Sequence, residues 1–407
     1  MQLPVQVLKI LERFNLAGIE AYTVGGSVRD SLLGVEPFDF DITTKATPLE
    51  VKALFNDIKI IETGIKHGTV TLVLDGLPVE VTTYRVDKGY SDGRHPDKVS
   101  FSNNLKEDLA RRDFTINAIC YCPHKGYFDP FGGREDLENR LIKTVGDANK
   151  RFEEDSLRIL RALRFSSFLG FEIEEDTKKA IFQSAHLMCN LSKERVFAEF
   201  KKLVTGKNAA TVLCEFLPIL HFAIESLGQY KSCAPCFDSL SYVSDDLSTS
   251  LAAFFCSLEM DGIKTCNLAE KTLKILKSDK KTSQEVCKVI TAFKTGFPCT
   301  KEEVKWLLNR VGETASYKTV RLLAAFSPER EEDIKYFTHT LDDIIKNNEC
   351  YKISMLNITG DDILALGIEP QKIGLALNRL LTAVIEEVCI NRKEELIAFA
   401  HNFKEDF

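Results

Sequence analysis

Two aspartates separated by a single residue, Asp39 and Asp41, most constrain how this chain can fold. They lie in the run EPFDFDITT (residues 36–44), whose β-branched end predicts a strand. Residues i and i+2 of a strand share a face, so these two carboxylates would be neighbours that repel each other. A sheet containing this strand therefore needs a positive charge beside it.

Two carboxylates on one strand face can hold Mg²⁺, a cation that prefers oxygen ligands and often bridges substrate phosphates. Two such ions about 4 Å apart can activate an attacking hydroxyl and stabilise the leaving oxygen in phosphoryl transfer. The structural alternatives are a solvated pair on an edge strand and a helix cap. Glu80, in the strand-like segment 78–83, becomes a third carboxylate of this site only if its strand lies beside the aspartate strand.

A glycine pair, Gly25-Gly26, lies between a predicted strand and a predicted helix. Glycines let backbone amides approach phosphate oxygens, and a helix N-terminus adds a positive dipole. Ser27 can donate a hydroxyl hydrogen bond and Arg29 can neutralise phosphate. The alternative is a tight strand-to-helix turn without a ligand.

The segment RRDFTINA (111–118) has features of a second nucleotide contact. The adjacent arginines, Arg111 and Arg112, can reach a triphosphate. Asp113 and Asn117 offer an acceptor and an amide for ribose hydroxyls. The alternative is the basic start of a helix.

The segment EEDSLRILRALRF (153–165) predicts a helix with leucines on one face and a polar stripe, Asp155, Arg158, Arg161 and Arg164, on the other. A carboxylate accepts from an exocyclic amine and an arginine donates to ring acceptors, so such a pair can select C and A. G and U would leave the carboxylate facing another acceptor, which costs energy when buried. The alternative is salt bridging within the helix on a solvated face.

The chain changes character along its length. The first 130 or so residues alternate helix and strand signals, including a hairpin at Asp75-Gly76 and a capped helix start at Thr47-Pro48. From about residue 150 the strand signals fade and leucine-rich helical segments follow. The sequence therefore predicts an α/β domain followed by a largely helical region.

Composition narrows the class of protein. A hydrophobic content of 44% and a charged content of 28% are typical of a soluble globular protein, and a net charge of −7 disfavours non-specific binding to polyanions without excluding a local basic groove. The sequence contains neither a long apolar run nor a signal-like start, which predicts a cytoplasmic location. Twelve scattered cysteines, with Cys233 and Cys236 in the one CxxC, predict reduced thiols rather than a zinc site.

Five segments, taken in order, resemble motifs A to E of the class II tRNA nucleotidyltransferases, the bacterial-type CCA-adding enzymes of the poly(A) polymerase and CCA-adding superfamily. They are GGSVRD with DFDITT, RRDFTINA, DPFGG (129–133), EEDSLRILRALRF and LSKERVFAEF (191–200), the last of which braces the neck in that family. The resemblance spans about residues 20–205 and is weaker over 358–398.

The resemblance implies a seahorse-shaped α+β protein, with a polymerase-β-like nucleotidyltransferase sheet in its head and an all-α neck, body and tail. The implied domains are a catalytic head (1–140), a neck with the nucleotide-selecting helix (141–205), a body (206–310) and a tRNA-binding tail (311–407). The body and tail would hold the tRNA minihelix by its shape and phosphates.

The resemblance also implies the chemistry. Asp39 and Asp41 would bind two Mg²⁺ ions, with Glu80 as a further catalytic carboxylate. CMP, CMP and AMP would be transferred from CTP and ATP to the tRNA 3′ end without a nucleic-acid template, releasing pyrophosphate. The family's nucleotide contacts fall on Gly26, Arg29, Arg112, Asp155, Arg158, Arg161 and Arg164. A monomer or homodimer without an obligate protein partner is expected.

Related activities remain as alternatives. Bacterial poly(A) polymerases carry an arginine-rich stretch where this chain has GIKHGT (64–69), which favours tRNA end addition. Enzymes that add only CC or only A are a second alternative. The segment 87–101, with Arg94 and Asp97, resembles the flexible loop that would help switch specificity from C to A, and this favours complete CCA addition.

Other classes fit the sequence less well. A nucleotidyltransferase for small molecules would share the aspartate pair but would not need the polar stripe or a long helical tail. An RNA-binding protein on an inactive head would be expected to lose the aspartates. The helical half contains no adjacent His-Asp pair, so we predict no HD-type phosphohydrolase activity.

Overall fold

The computed structural model describes residues 1–88, 98–232, 234–259 and 262–403. The chain divides into two compact units, Met1–Ser232 and Cys233–Phe407. The predicted order, a mixed α and β region followed by a helical one, is confirmed. The finer division into head, neck, body and tail stays a prediction.

The first unit contains all the β-structure of the described residues. Its strands are β1 (Ala21–Val24), β2 (Asp41–Thr44), β3 (Lys59–Ile61), β4 (Thr69–Leu74), β5 (Leu77–Thr83), β6 (Arg85–Lys88), β7 (Lys98–Phe101), β8 (Cys120–Cys122), β9 (Gly126–Phe128), β10 (Leu141–Ile142) and β11 (Glu172–Ile173). Its helices are α1 (Val5–Leu16), α2 (Gly26–Leu32), α3 (Pro48–Leu54), α4 (Leu105–Ala110), α5 (Gly133–Glu138), α6 (Ala148–Glu154), α7 (Leu157–Leu169), α8 (Glu175–Ser184), α9 (Lys193–Val204) and α10 (Ala209–Leu220).

The main sheet has seven strands in the order β3-β4-β5-β2-β1-β8-β9, which places β2 at its centre. β2 and β5 run parallel and bring Asp41 opposite Glu80, whereas the other neighbours are antiparallel. The adjacency that the role of Glu80 requires is therefore present. β6 with β7, and β10 with β11, form separate two-stranded ladders.

Local sequence signals explain how two of these elements form. Asp75 and Gly76, at φ 50° and 82°, join β4 to β5, and positive φ at both central residues is the signature of a type I′ hairpin turn. α3 begins after Thr47 with a capping box, in which the Thr47 hydroxyl accepts from the Glu50 amide and the Glu50 carboxylate accepts from the Thr47 amide. Both predicted features are confirmed.

The two faces of the sheet bury different cores. α1 packs through Val7, Ile10 and Phe14 into a cluster that includes Ile42 of β2 and Val81 of β5. Side chains alternate along a strand, so Asp41 and Glu80 point to the opposite face. A second, smaller hydrophobic cluster includes Val24 of β1, which pairs with Asp41.

Helices are the regular secondary structure of the second unit in its described residues. Its helices are α11 (Leu240–Val243), α12 (Leu247–Leu258), α13 (Gly262–Ile275), α14 (Lys280–Lys294), α15 (Lys301–Val311), α16 (Glu313–Phe326), α17 (Glu331–Lys346), α18 (Gly360–Ala365), α19 (Ile373–Ile385) and α20 (Lys393–His401). Ile363, Leu380 and Leu396, each fully buried, centre the core of its last third.

The described part of the chain also bears on two expectations from composition. Its cysteines are all free thiols; Cys236 is exposed, and Cys233 lies outside the described residues. None of its helices is both long enough and apolar enough to span a lipid bilayer.

Candidate active site

The charges of three carboxylates act on one another near the start of β2. Asp41 is the first residue of this strand, and Asp39 lies two residues earlier in the segment that leads into it, so the prediction that both belong to the strand holds only for Asp41. Although Asp41 is exposed, neighbouring protein atoms displace enough water to raise its pKa to about 6. The charge of Arg112 opposes this rise, and those of Glu80 and Asp39 add to it. The site therefore has a local excess of negative charge.

The donor set fits Mg²⁺ without forming a complete cage. Among the described residues, no three His, Cys, Asp or Glu side chains are grouped so that they could hold a metal ion by themselves. Mg²⁺ commonly takes one or two carboxylates and completes its octahedron with water and substrate phosphate oxygens. Asp39 and Asp41, both exposed and in an acidic environment, match that requirement.

The turn between β1 and α2 depends on glycine. Gly25 has φ 78° and ψ −131°, a conformation that side-chain-bearing residues avoid. A Cβ on Gly25 would lie 2.9 Å from Nη1 of Arg112, so the absence of a side chain lets this guanidinium approach the turn. Gly26 then begins α2, and the buried Ser27 hydroxyl is 3.4 Å from the Val24 carbonyl oxygen.

Arg112 is a cation whose ion pair with Asp108 is long. Its Nη2 lies 4.0 Å from Oδ2 of Asp108, and its buried Nε has no hydrogen-bond partner within the described ranges. Burial lowers the pKa of Arg112, and the charges of Asp108 and Asp41 oppose that effect. A positive charge in this state suits an anionic ligand beside the Gly25 turn.

Asp113 is the centre of a buried hydrogen-bond network. It accepts from Nε and Nη2 of Arg161 at 2.8 and 2.5 Å, from the Phe114 amide at 2.9 Å and from Nδ2 of Asn117 at 3.0 Å. Oδ1 of Asn117 in turn accepts from Nη1 of Arg29 at 2.8 Å. Burial alone would raise the pKa of Asp113, but the Arg161 charge and these hydrogen bonds hold it well below its usual range. The predicted ribose readers are thus already engaged with protein groups.

Three guanidinium groups surround the ring of Phe165, a buried residue of α7. The guanidinium carbons of Arg29, Arg161 and Arg164 lie 5.0, 5.6 and 3.8 Å from its centroid, within the range of cation–π interactions. Glu199 of α9 accepts from Nε of Arg164 at 2.5 Å and lies 3.9 Å from Nη1 of Arg161. Arg161 and Arg164 are therefore packed between an aromatic ring and carboxylates, unlike side chains on a solvated helix face.

Asp155 lies between two helices. The prediction of one continuous helix over 153–165 is wrong, because α6 ends at Glu154, Asp155 is extended, and α7 begins at Leu157. Its carboxylate accepts from the Leu157 amide at 3.1 Å and from Nη2 of Arg195, in α9, at 2.8 Å. Arg195 and Glu199 thus both connect α9 to the polar residues around α7, as expected for the bracing motif.

Arg158 is held separately from Asp155. Its buried guanidinium donates to Oε2 of Glu154 at 2.6 Å and to the carbonyl oxygens of Arg151 and Arg111 at 3.0 and 3.1 Å. The last of these bonds connects the start of α7 to the RRDFTINA segment. Each member of the predicted base-reading pair is therefore oriented by its own partners.

Three residues of this site were missed by sequence reasoning. Asp108 and Glu154 carried a usable signal, because they lie three or four positions before Arg111, Arg112 and Arg158 in helical sequence. Phe165 carried none, since an aromatic residue at helical spacing ordinarily indicates core. The predicted loop residues Arg94 and Asp97 lie outside the described residues.

Family models match most of the chain in three blocks. Residues 21–143 match a model described as "Poly A polymerase head domain". Residues 170–216 match "Probable RNA and SrmB-binding site of polymerase A", and residues 248–400 match a tRNA nucleotidyltransferase domain 2.

Individual relatives and structures agree with these models. The chain is 35% identical to a CCA-adding enzyme of Leuconostoc mesenteroides, over 100% of this chain and 98% of that protein. It is 52% identical to the CCA-adding enzyme of Geobacillus thermodenitrificans over 53% of this chain and 52% of that one. The crystal structure of the Bacillus stearothermophilus CCA-adding enzyme in complex with CTP superposes with a TM-score of 0.83, at 30% identity, over 100% of this chain and 99% of that one.

Proposed function

The chain belongs to the CCA-adding enzymes, and from this membership we propose that it adds CMP, CMP and AMP to the 3′ end of tRNA from CTP and ATP. Each addition releases pyrophosphate and needs no nucleic-acid template. The observation that carries the proposal is the pairing of Asp41 with Glu80 across parallel central strands, on the polar face of the sheet. Asp39 adds a third carboxylate to this grouping.

The acidic residues have the role of metal ligands. Asp39 and Asp41 would hold Mg²⁺, which supplies charge neutralisation for the nucleotide phosphates and lowers the pKa of the attacking hydroxyl. Glu80 raises the negative potential at Asp41 and thereby favours a bound cation. The chain's own contribution is a rigid central strand that holds these side chains at one end of the sheet.

The triphosphate would bind on the basic side of the same site. Nε of Arg112 is buried without a partner in the described part of the chain, and the backbone amide of Gly26 lies at the start of α2. Phosphate oxygens would accept from both. The proposed nucleotide contacts also include Ser27, Arg29, Asp113 and Asn117, the last three of which are joined by hydrogen bonds.

Base choice is proposed for Asp155 and Arg158. Arg195 and Glu154 orient the two side chains, so that the carboxylate can accept from an exocyclic amine while the guanidinium donates to ring acceptors. Arg161 and Arg164, also proposed nucleotide contacts, are held by Asp113 and Glu199. Pre-positioned donors and acceptors reject U and G because these bases would leave polar groups unpaired.

The tRNA would bind through its acceptor end and minihelix, in the cytoplasm. The proposed division keeps the head at 1–140 and the neck at 141–205. The body, 206–310, and the tail, 311–407, would contact the tRNA largely by shape and phosphates.

Arg158→Gln is expected to relax base choice more than it weakens tRNA binding. A lost pair of base-edge hydrogen bonds removes about 1–3 kcal/mol of discrimination, so the preference for CTP over UTP should fall about 5- to 150-fold. The preference is measured as the ratio of kcat/KM values on tRNA that lacks its terminal CCA, and tRNA affinity by filter binding.

Arg151→Gln is the matched control, because Arg151 also pairs with Glu154, at 2.8 Å, but is not a proposed base contact. It should keep the wild-type CTP/UTP ratio. An unchanged ratio in Arg158→Gln would contradict the assignment of Arg158 to base choice.

The function itself is tested by incubating purified protein and Mg²⁺ with tRNA transcripts that end before the CCA, after the first C, or after CC. We expect label from CTP and ATP, and not from GTP or UTP, to produce ends that read CCA on sequencing. Each transcript should be completed and not extended further.

The same products discriminate between the alternative activities. Long A tails would replace the proposal with poly(A) polymerase activity. Products that stop at CC, or addition of A only to the CC-ended transcript, would identify one of the divided activities. Absence of addition to every transcript would contradict nucleotidyl transfer to tRNA altogether.

A further inference from the structure

We propose that Asp108 is a positioning residue of the nucleotide site, which acts by fixing Arg112 beside the Gly25 turn while it is itself anchored to the catalytic strand β2. The proposal rests on the function above only in taking the ligand of Arg112 to be a nucleotide phosphate. Asp108 is not expected to touch the nucleotide.

The environment of Asp108 is unusual for a carboxylate. The residue lies in α4 and is fully buried, with 0% of its surface exposed. A buried charge is costly unless it is paired and its lone pairs are hydrogen-bonded. Asp108 meets both conditions, and its partners come from three separate segments that line the site.

Two consecutive arginines divide the charge of Asp108 unequally. Arg111 donates to Oδ1 through Nε at 2.9 Å and through Nη2 at 2.8 Å. Arg112 approaches Oδ2 only to 4.0 Å. Because Arg111 takes the close contact, Arg112 keeps most of its positive field for other groups.

The longer contact still determines where Arg112 lies. Its Nη1 reaches the Gly25 turn, where a Cβ would be only 2.9 Å away. Its charge acts on Asp41, for which it is the favourable interaction that opposes the raised pKa. Asp108 thus attracts one end of this guanidinium while the other end stays at the phosphate-binding turn.

Asp108 also contacts the catalytic strand and its extension. Oδ2 accepts from the Thr43 hydroxyl at 2.9 Å, and Thr43 lies two residues after Asp41 on the same strand face. Oδ1 accepts from the Arg85 amide at 3.3 Å, at the start of β6. One buried carboxylate therefore joins the metal-binding strand to the arginine proposed for the phosphates.

The experiment uses Asp108→Asn in the full-length protein and measures dissociation constants for CTP and CMP by calorimetry. If Asp108 acts on the phosphates through Arg112, the CTP constant should rise about 10-fold while that of CMP changes less than about 2-fold. Equal rises for both ligands would indicate general damage and overturn the proposal. Glu107→Gln removes the adjacent, exposed carboxylate and should leave both constants unchanged.

A double-mutant cycle with Arg112→Gln tests the route of the effect. In the Arg112→Gln background, Asp108→Asn should change the CTP constant by less than about 2-fold, because the mediating guanidinium is gone. An undiminished 10-fold rise there would show that Asp108 acts by another route and would overturn the proposal.

Thr43→Val provides an independent arm if Asp108→Asn does not fold. It removes one hydrogen bond to Asp108 and keeps every charge, so we expect a rise of about 2- to 5-fold in the CTP constant with CMP binding unchanged. No selective rise would count against the proposal. Wild-type protein that binds CTP but never extends tRNA would contradict the proposed function and leave this inference standing.

Discussion

Asp41→Ala is expected to slow nucleotide addition by about 1000-fold or more while leaving tRNA affinity nearly unchanged. The reason is that Asp41 is the first residue of the central strand β2 and lies where the charges of Asp39 and Glu80 add to its own. Loss of a metal ligand there removes several kcal/mol of transition-state stabilisation, and each 1.36 kcal/mol is tenfold in rate. Single-turnover incorporation of CMP into a saturating amount of tRNA isolates the step that should be affected. Asp39→Ala should behave in the same way.

Glu36→Ala is the matched control for these two variants. Glu36 is exposed and lies three residues before Asp39, so its loss removes the same charge from the same segment. We expect its single-turnover rate to remain close to that of the wild type. Near-normal rates in either aspartate variant would overturn the metal assignment, and so would a parallel loss in the control.

Asp113→Asn is expected to destabilise the first unit by about 3 kcal/mol. Removing one partner of a buried ion pair typically costs about 3–5 kcal/mol, because the other charge is left uncompensated. We take the lower end of that range because the Arg161 side chain is 34% exposed and water can partly solvate it. Asp57→Asn, which breaks the exposed contact with Arg13, is the matched control and should have little effect.

The choice of probe matters for this measurement. The chain has one tryptophan, Trp306, and it lies in the second unit, so tryptophan fluorescence would not report on the network around Asp113. Hydrogen exchange of peptides covering α4 and α7, followed in increasing urea, gives the local free energy of opening. An unchanged opening free energy in Asp113→Asn would contradict the structural role of the network.

Lowering the pH should reduce the difference in unfolding free energy between the wild type and Asp113→Asn. The pKa of Asp113 is depressed in the folded protein, so its contribution to stability is complete above the unfolded pKa of about 3.9 and declines as the pH falls toward the lower folded value. The gap in unfolding free energy should therefore be constant at neutral pH and should narrow below about pH 4. A gap independent of pH down to 3 would point to packing rather than charge as its cause.

Much of the fold could be predicted because its signals are local. The Asp75-Gly76 turn, the Thr47 cap and the glycine turn before α2 each depend on a few adjacent residues. The strand order could not be predicted in this way. The pairing of β2 with β5 is set by burial of Ile42 and Val81 against α1, which periodicity within one segment does not encode.

In the candidate site, too, local features could be predicted and long-range contacts could not. Residue types near Asp39 and Asp41 indicated phosphate chemistry, because carboxylates, glycines and arginines have few other reasons to cluster. The break before α7 was missed because Asp155 is removed from the helix by its bond to Arg195, forty residues later. Side chains predicted to face a ligand also proved to be engaged with protein, as Asp113 is with Arg161, since long-range partners are invisible in a single segment.

The strand order of the main sheet also determines in which order parts of the site can form while the chain is being synthesised. β2 can pair with β5 once residue 83 has been made, and this brings Asp41 beside Glu80. Arg112, and β8, which pairs with β1 through Val24 and Cys120, are made only later. The nascent first unit would therefore contain the paired Asp41 and Glu80 before Arg112 has been made. Completion of β8 would mark the earliest moment at which the positive charge of Arg112 can offset their negative charge in the folded sheet.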